Sequence, residues 1–341
     1  MGKIVTFGEI ILRLTPNGFY RFFQNDQLQA SFGGAEANVA VSLSNFGEEV
    51  SFVSKVPEHA IGQGAINSLR SFGVDTSYIS RGGDRLGIYY LERGANQRSS
   101  ICIYDRAGSS LAGANRGDFD WDSIFSDADW LHFTGITPAL GGQVPWICED
   151  ACIAAKKHNV QISCDLNYRA KLWTKESANK VLSHLCQYVD VCIANEEDAK
   201  NVFGIEAVQT DIDSGDLKRE SYYLVAKQLL QRYSFRSVAI SLRTSHSATV
   251  NEWEGLLYTG DRVFMSESYR FDSIVDRIGG GDSFAAGLIY AMRRGMSGQQ
   301  TIDFAVAASA LKHSIEGDFN RVSVAEVEAL MKGHGSGRVQ R

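Results

Sequence analysis

The chain has 341 residues, with 34 Lys and Arg against 40 Asp and Glu, which leaves a formal net charge of −6. Hydrophobic residues make up 44% and charged residues 22%, ordinary values for a globular chain able to bury a large core. The acidic balance speaks against nucleic acid or an anionic membrane as the main partner, and no apolar window is long enough for a transmembrane helix. Six cysteines without a C-x-x-C pair do not make a disulfide scaffold at this length. Cys148 and Cys152 stand four apart on a helical pattern and read as small buried apolar groups rather than half a metal site. The first residues read as a strand, not as a secretory leader, and a cytoplasmic location is expected.

Short apolar runs at 3–9, 49–56, 130–136, 160–166, 189–194 and 237–242 suit strands buried on both faces. Helical patterns fall at 36–46, 61–72, 145–158, 175–187 and 218–233, and Pro145 suits a first helical turn. This alternation predicts an α/β fold, a mostly parallel sheet with helices on both faces. Segments 19–32 and 86–107 break the pattern. Within the second, 87–93 and 99–106 flank a Gly-Ala-Asn-Gln turn and read as a hairpin. These pieces are expected to form a small antiparallel β lid, or else edge strands of the main sheet. The domain reading is one unit over 1–332, with lid segments at about 10–32 and 86–110 and a mobile tail at 333–341.

The chemistry concentrates at Asp276-Arg277-Ile278-Gly279-Gly280-Gly281-Asp282, followed by a helix that runs to about Arg294. Consecutive glycines let backbone N–H groups converge, and a helix N-terminus adds partial positive charge there. That is a site for an anion such as phosphate. Asp282 is then either a helix cap or a general base that takes a proton from an attacking hydroxyl. No G-x-x-x-x-G-K-[ST] motif occurs, so the phosphate holder is not a P-loop.

This segment resembles the D-T-x-G-A-G-D signature of ribokinase-like (PfkB-type) carbohydrate kinases, with Arg277 for the usual Thr and Gly280 for the usual Ala. A first signature of that family is matched by Gly33-Gly34-Ala35-Glu36-Ala37-Asn38. Within the family, 132–140, 165–173, 104–109 and Gly317-Asp318 are similar to 2-keto-3-deoxygluconate kinases. The resemblance implies ATP-dependent phosphorylation of a sugar acid's primary hydroxyl, with fructokinase or another family sugar kinase as the alternative, and a sugar-binding pseudokinase as the rival of another class.

Carried onto this chain, the resemblance makes Asp282 the base and Gly279, Gly280 and Gly281 the anion hole. Gly34 and Asn38 meet sugar hydroxyls; Tyr89, Tyr104 and Asp318 line the acceptor site. Arg106 and Arg169 take the substrate carboxylate by charge-assisted hydrogen bonds. Asn167, Asn195, Asp198, Ser241 and Arg243 fall on the nucleotide side, and Mg²⁺ is expected to be ordered through water near Asp198. Residues 241–247 occupy the place of the family's glycine-containing ATP loop, yet contain no glycine. The resemblance further implies a possible monovalent cation near the Gly279 loop and a homo-oligomer formed through the lid.

Overall fold

The computed structural model describes residues 1–195, 197–206 and 215–333. Glu196 and the expected mobile tail beyond Gly333 lie outside the described residues. In chain order the first elements are β1 (Lys3–Phe7), β2 (Ile11–Thr15), β3 (Gln29–Gly33), α1 (Ala35–Asn45), β4 (Val50–Val56), α2 (Ala60–Arg70), β5 (Ile79–Arg81), β6 (Ile88–Glu92) and β7 (Ile101–Asp105). There follow α3 (Trp121–Ile124), β8 (Ala128–Thr134), α4 (Val144–Lys157), β9 (Gln161–Asp165), α5 (Lys175–Leu185), β10 (Val191–Asn195), α6 (Asp198–Phe203) and α7 (Gly215–Tyr233). The last are β11 (Ser237–Ser245), β12 (Asn251–Tyr258), β13 (Val263–Met265), β14 (Tyr269–Phe271), α8 (Gly280–Arg293), α9 (Gly298–Lys312) and α10 (Val324–Met331).

The main sheet runs β13-β12-β11-β10-β9-β8-β1-β4-β5, with β14 also pairing β12. From β11 to β5 every pair is parallel, and the β12 pairings are antiparallel. Alternate residues of the central strands feed two separate cores. Val5, Phe7, Leu131, Phe133 and Ile162 pack with α4, α5 and α7, whereas Ile4, Phe52, Trp130 and Ile193 pack with α1, α8 and α9. Burial on both faces is why these strands read as continuous apolar runs. In such a sheet, ligands gather beyond the carboxyl ends of the strands.

The small sheet has the order β3-β2-β6-β7. Its outer pairs are antiparallel, as the hairpin reading requires, but the central β2–β6 pair is parallel. The reason is connectivity. Strand β2 follows β1 and β6 follows β5, so both leave the carboxyl ends of parallel strands of the main sheet. The expected loop at 241–247 is corrected: Ser241 to Ser245 continue β11, with Ser241 opposite Gly255 and Arg243 opposite Trp253. Pairing with β12 supplies the ladder that the polar sequence did not announce. Among the described residues, no helix is long and apolar enough to cross a membrane.

Candidate active site

A cavity of about 290 Å³ lies between the carboxyl ends of the parallel strands and the small sheet. Of the site residues proposed from the sequence, every one except Asp198 lines it.

Gly279 caps α8 with φ +81°, and a Cβ there would lie 2.2 Å from the Asp318 carbonyl oxygen. Only glycine fits this turn. A Cβ on Gly280 would stand 2.7 Å from the His313 ring, while one on Gly281 would meet nothing within 4 Å. The turn thus places the first N–H groups of α8 at the cavity wall. Asp282 follows at the third position of α8. The helix has Gly279 at its N-cap with no side-chain cap bond, so Asp282 does not cap it. Burial, with the charges of Asp318 and Glu36, pushes the Asp282 carboxyl up to about 7; the Asn38 bond and Arg169 act the other way.

Asn38 Nδ2 donates to Asp282 Oδ2 at 2.6 Å, and the buried Asn38 Oδ1 has no hydrogen-bond partner. Asn38 is fixed because α1 starts abruptly at Gly34, whose φ of +146° sets a Cβ position only 2.0 Å from the Glu9 carbonyl oxygen. Glu36 anchors the same turn. Its Oε1 accepts from the Thr134 N–H at 2.9 Å and from the Thr134 and Thr137 hydroxyls at 2.7 Å each. Burial pushes its carboxyl up, because those bonds only partly replace water. The family's first signature at 33–38 and the segment at 132–140 therefore meet in space.

The small sheet closes the other side. Tyr89 Oη donates to Asp318 Oδ1 at 2.5 Å, and the Tyr104 ring lies 6.1 Å from the Tyr89 ring. Arg13, on β2, donates to Asp318 at 2.8 Å and to Asp276 at 2.6 Å, with all three side chains buried. Arg106 lines the cavity but already holds Glu9, with Nε 2.9 Å from Oε2 and Nη2 also bonded. Arg169 differs. Its guanidinium donates to the Tyr168 carbonyl at 3.0 Å and makes no ion pair with an acid among the described residues. Of the two cations expected to take a carboxylate, Arg169 is the one without an acid partner.

The acid floor comes from β9 and the turn after it. Asp165 accepts from Asn167 N and Nδ2, at 3.2 Å each, and Asn167 sits at φ +38°. Asn167 Oδ1 is buried without a partner. Burial and the neighbouring Asp198 and Asp282 charges push the Asp165 carboxyl well up. Asp198 stands behind this wall. Its oxygens accept from the Tyr168 and Asn195 N–H groups at 3.0 Å each, and Asn195 Oδ1 accepts in turn from the Asp198 N–H at 3.0 Å. That carboxylate is spent on holding two turns together.

At the remaining end, Arg243 stacks on Trp253, its guanidinium carbon 4.7 Å from the ring centre. Arg277 reaches the Ala248 carbonyl at 3.0 Å from the loop that joins β11 to β12. Sequence reasoning missed Glu9, Asp165 and Arg277 as wall residues. Asp165 lay inside a quoted segment and Arg277 inside the glycine signature, but Glu9 carried no local signal.

The model of the pfkB family of carbohydrate kinases matches residues 1–320, and the chain belongs to this family. Its members are kinases that use ATP. The chain is 31% identical over 336 residues to 2-dehydro-3-deoxygalactonokinase of Haloferax volcanii, covering 98% of each protein. It is 27% identical to 2-dehydro-3-deoxygluconokinase of Thermoproteus tenax, over 97% of this chain and 95% of that one. The crystal structure of 2-dehydro-3-deoxygluconokinase from Thermotoga maritima superposes with a TM-score of 0.94 at 49% identity, over 98% of this chain and 100% of the other.

Proposed function

We propose that the protein transfers the γ-phosphoryl group of ATP to the O6 hydroxyl of 2-keto-3-deoxygluconate. The observation that carries this reading is the carboxylate of Asp282 beside the Gly279–Gly281 turn, in a cavity whose wall also presents Arg169. Relatives named for 2-keto-3-deoxy sugar acids support the acceptor class.

In this reading Asp282, poised near neutral pH, accepts the O6 proton. O6 bonds to the γ-phosphorus as the bond to the β–γ bridging oxygen breaks, and ADP carries that electron pair away. The N–H groups of Gly279, Gly280 and Gly281 take the negative charge that develops on the transferred group. Asn38 holds Asp282 in place, and its free Oδ1 accepts from a sugar hydroxyl, as does the backbone at Gly34. Tyr89, Tyr104 and Asp318 shape the acceptor end. Arg169 holds the substrate carboxylate, with Arg106 beside it in its pair with Glu9. Ser241, Arg243 and Asn195 line the nucleotide side.

The chemistry of Asp165 and Asn167, a buried acid crowded by other acids and an unpartnered amide oxygen on the wall, fits a hydrated divalent cation better than Asp198 does. Mg²⁺ brought with ATP would be held there through water and would offset phosphate charge. The four-stranded sheet serves as the lid, shutting water out when sugar binds.

The test is ATP consumption with a panel of 2-keto-3-deoxygluconate, its C4 epimer, fructose and ribose. Turnover with the keto acids well above the neutral sugars is expected. Fructose turned over as efficiently as the acid would make the protein a fructokinase instead. No turnover with any sugar, despite tight sugar binding, would favour the pseudokinase.

A further inference from the structure

Lys312, the last residue of α9, is 0% exposed and does not line the cavity. Its Cε lies 3.3 Å from where a Cβ on Gly279 would stand, so the side chain runs directly behind the anion-hole turn. Its ammonium donates to the Ile315 carbonyl at 3.0 Å. The charged groups that act on it are Asp276, Asp318, Asp282 and Arg13.

A buried ammonium persists only with anions near it. Burial lowers its pKa, and the charges of Asp276 and Asp318 only partly oppose this. Those two carboxylates are also the partners of Arg13. Two acids against Arg13 alone leave negative charge that a protonated Lys312 would offset. Asp276 matters to the turn itself, since it accepts from the Ile278 N–H at 3.1 Å and the Gly317 N–H at 3.2 Å.

The resemblance leads one to expect a monovalent metal ion near this turn. The residues present do not fit one: the ground behind Gly279 already holds an ammonium, and a further cation would be repelled by it and by Arg13. We propose that Lys312 is a built-in cation which keeps the Asp276-anchored turn and its electrostatics in working order, so that this protein functions without potassium. The proposal rests on the kinase reading above, and makes Lys312 a positioning residue rather than one that touches substrate.

The first test uses the wild-type protein in chloride buffers of tetramethylammonium, sodium, potassium or ammonium at one ionic strength. Initial rates with the keto acid and ATP are expected to agree within about twofold; activation by potassium several-fold over tetramethylammonium would overturn the proposal. The same panel is read as melting temperature, which needs no acceptor. A potassium-specific rise overturns the proposal even if no sugar is phosphorylated, whereas flat melting with no turnover would defeat the functional reading and leave this one standing. Lys312→Met is expected to lower kcat by about tenfold or more while the KM for the keto acid stays within about threefold, as for loss of charge that acts in the transition state. In Lys312→Ala, ammonium or potassium should restore part of the rate and tetramethylammonium should not. Wild-type kcat in both variants, or a loss that no cation size distinguishes, would refute the role.

Discussion

Replacing Asp282 with Asn separates a base with a raised carboxyl from an acid that merely favours the N-terminal turn of α8, because the two predict opposite changes in stability. The amide keeps the shape and can still accept from Asn38, but it cannot take a proton. Activity should fall by about 10²–10⁴-fold in kcat, the usual weight of general-base catalysis. The stability effect follows from the carboxyl being pushed up from 3.8 to about 7 in the native state. A carboxyl whose folded pKa is raised holds its proton longer in the native state than in the unfolded one. Its contribution is therefore fully present below pH 3.8 and is lost as pH rises towards 7. A shift of three units corresponds to a ceiling of about 4 kcal/mol, at about 1.4 kcal/mol per unit. Water in the open cavity reduces this, so about 1–3 kcal/mol is the working expectation.

Asn has no such loss. Urea denaturation at pH 5.5 and pH 8 should show the variant more stable than wild type, with the gap wider at pH 8. An acid that only favoured the helix N-terminus would behave in the reverse sense, since removing its charge destabilises by about 0.3–1 kcal/mol. A variant no more stable than wild type at pH 8, with activity within a few-fold, would refute both the raised carboxyl and its role as base.

Further outcomes follow from the same geometry. Because Asp282 must be ionised to accept a proton, kcat/KM should rise with pH and level off above an apparent pKa near 7; a flat profile between pH 5.5 and 8 would remove it as the base. Arg169→Ala should lower kcat/KM for the keto acid by about 10–100-fold, the loss of one hydrogen bond to a charged group, and affect fructose little; equal losses for both substrates would contradict carboxylate recognition. Arg106→Ala should behave differently, because it strands the buried Glu9 carboxylate and destabilises the fold by about 3–5 kcal/mol, measurable by chemical denaturation. Hydrogen exchange in 86–107 should slow when the keto acid is added; unchanged exchange at saturation would mark the small sheet as rigid.

What the sequence disclosed was local. Strands such as β4 and β8 are buried on both faces and carry mostly apolar side chains, so their runs stood out. The Gly279–Gly281 turn was visible as three glycines before a helical pattern, and the resemblance of the surrounding signature gave it a role. The β6–β7 hairpin was visible through the turn between its strands. What stayed hidden were pairings across the chain. Arg13 meets Asp276 and Asp318, which lie 263 and 305 positions away, and nothing near Arg13 marks either partner. Arg106 looked like a free cation until the fold set Glu9 against it. The second half of β11 is Ser-Leu-Arg-Thr-Ser, polar enough to read as a loop, and it becomes a strand only because β12 lies alongside.

Those hidden pairings also resolve the main electrostatic difficulty of the site. The cavity wall carries Glu9, Glu36, Asp165, Asp282 and Asp318, five acids in a place proposed to receive a sugar acid and a nucleotide. Taken as five free charges they would repel both ligands. Glu9 is matched by Arg106, and Asp318 by Arg13. Burial moves Glu36 towards its protonated form, and Asp165 is proposed to be offset by the Mg²⁺ that arrives with ATP. Asp282 is left as the acid poised to change charge near neutral pH, beside the helix N-terminus, with Arg169 offsetting it. Among the described residues Arg169 and Arg277 line this wall without an ion pair to an acid, and Arg169 stands where the acceptor's carboxylate is proposed to bind. Arg13 links this balance to the lid, because it rises from β2 and grips both the glycine-turn acid Asp276 and the Tyr89 partner Asp318. Displacing the lid would uncover those acids and raise the negative potential at the transfer site, so closure serves the electrostatics as well as the exclusion of water.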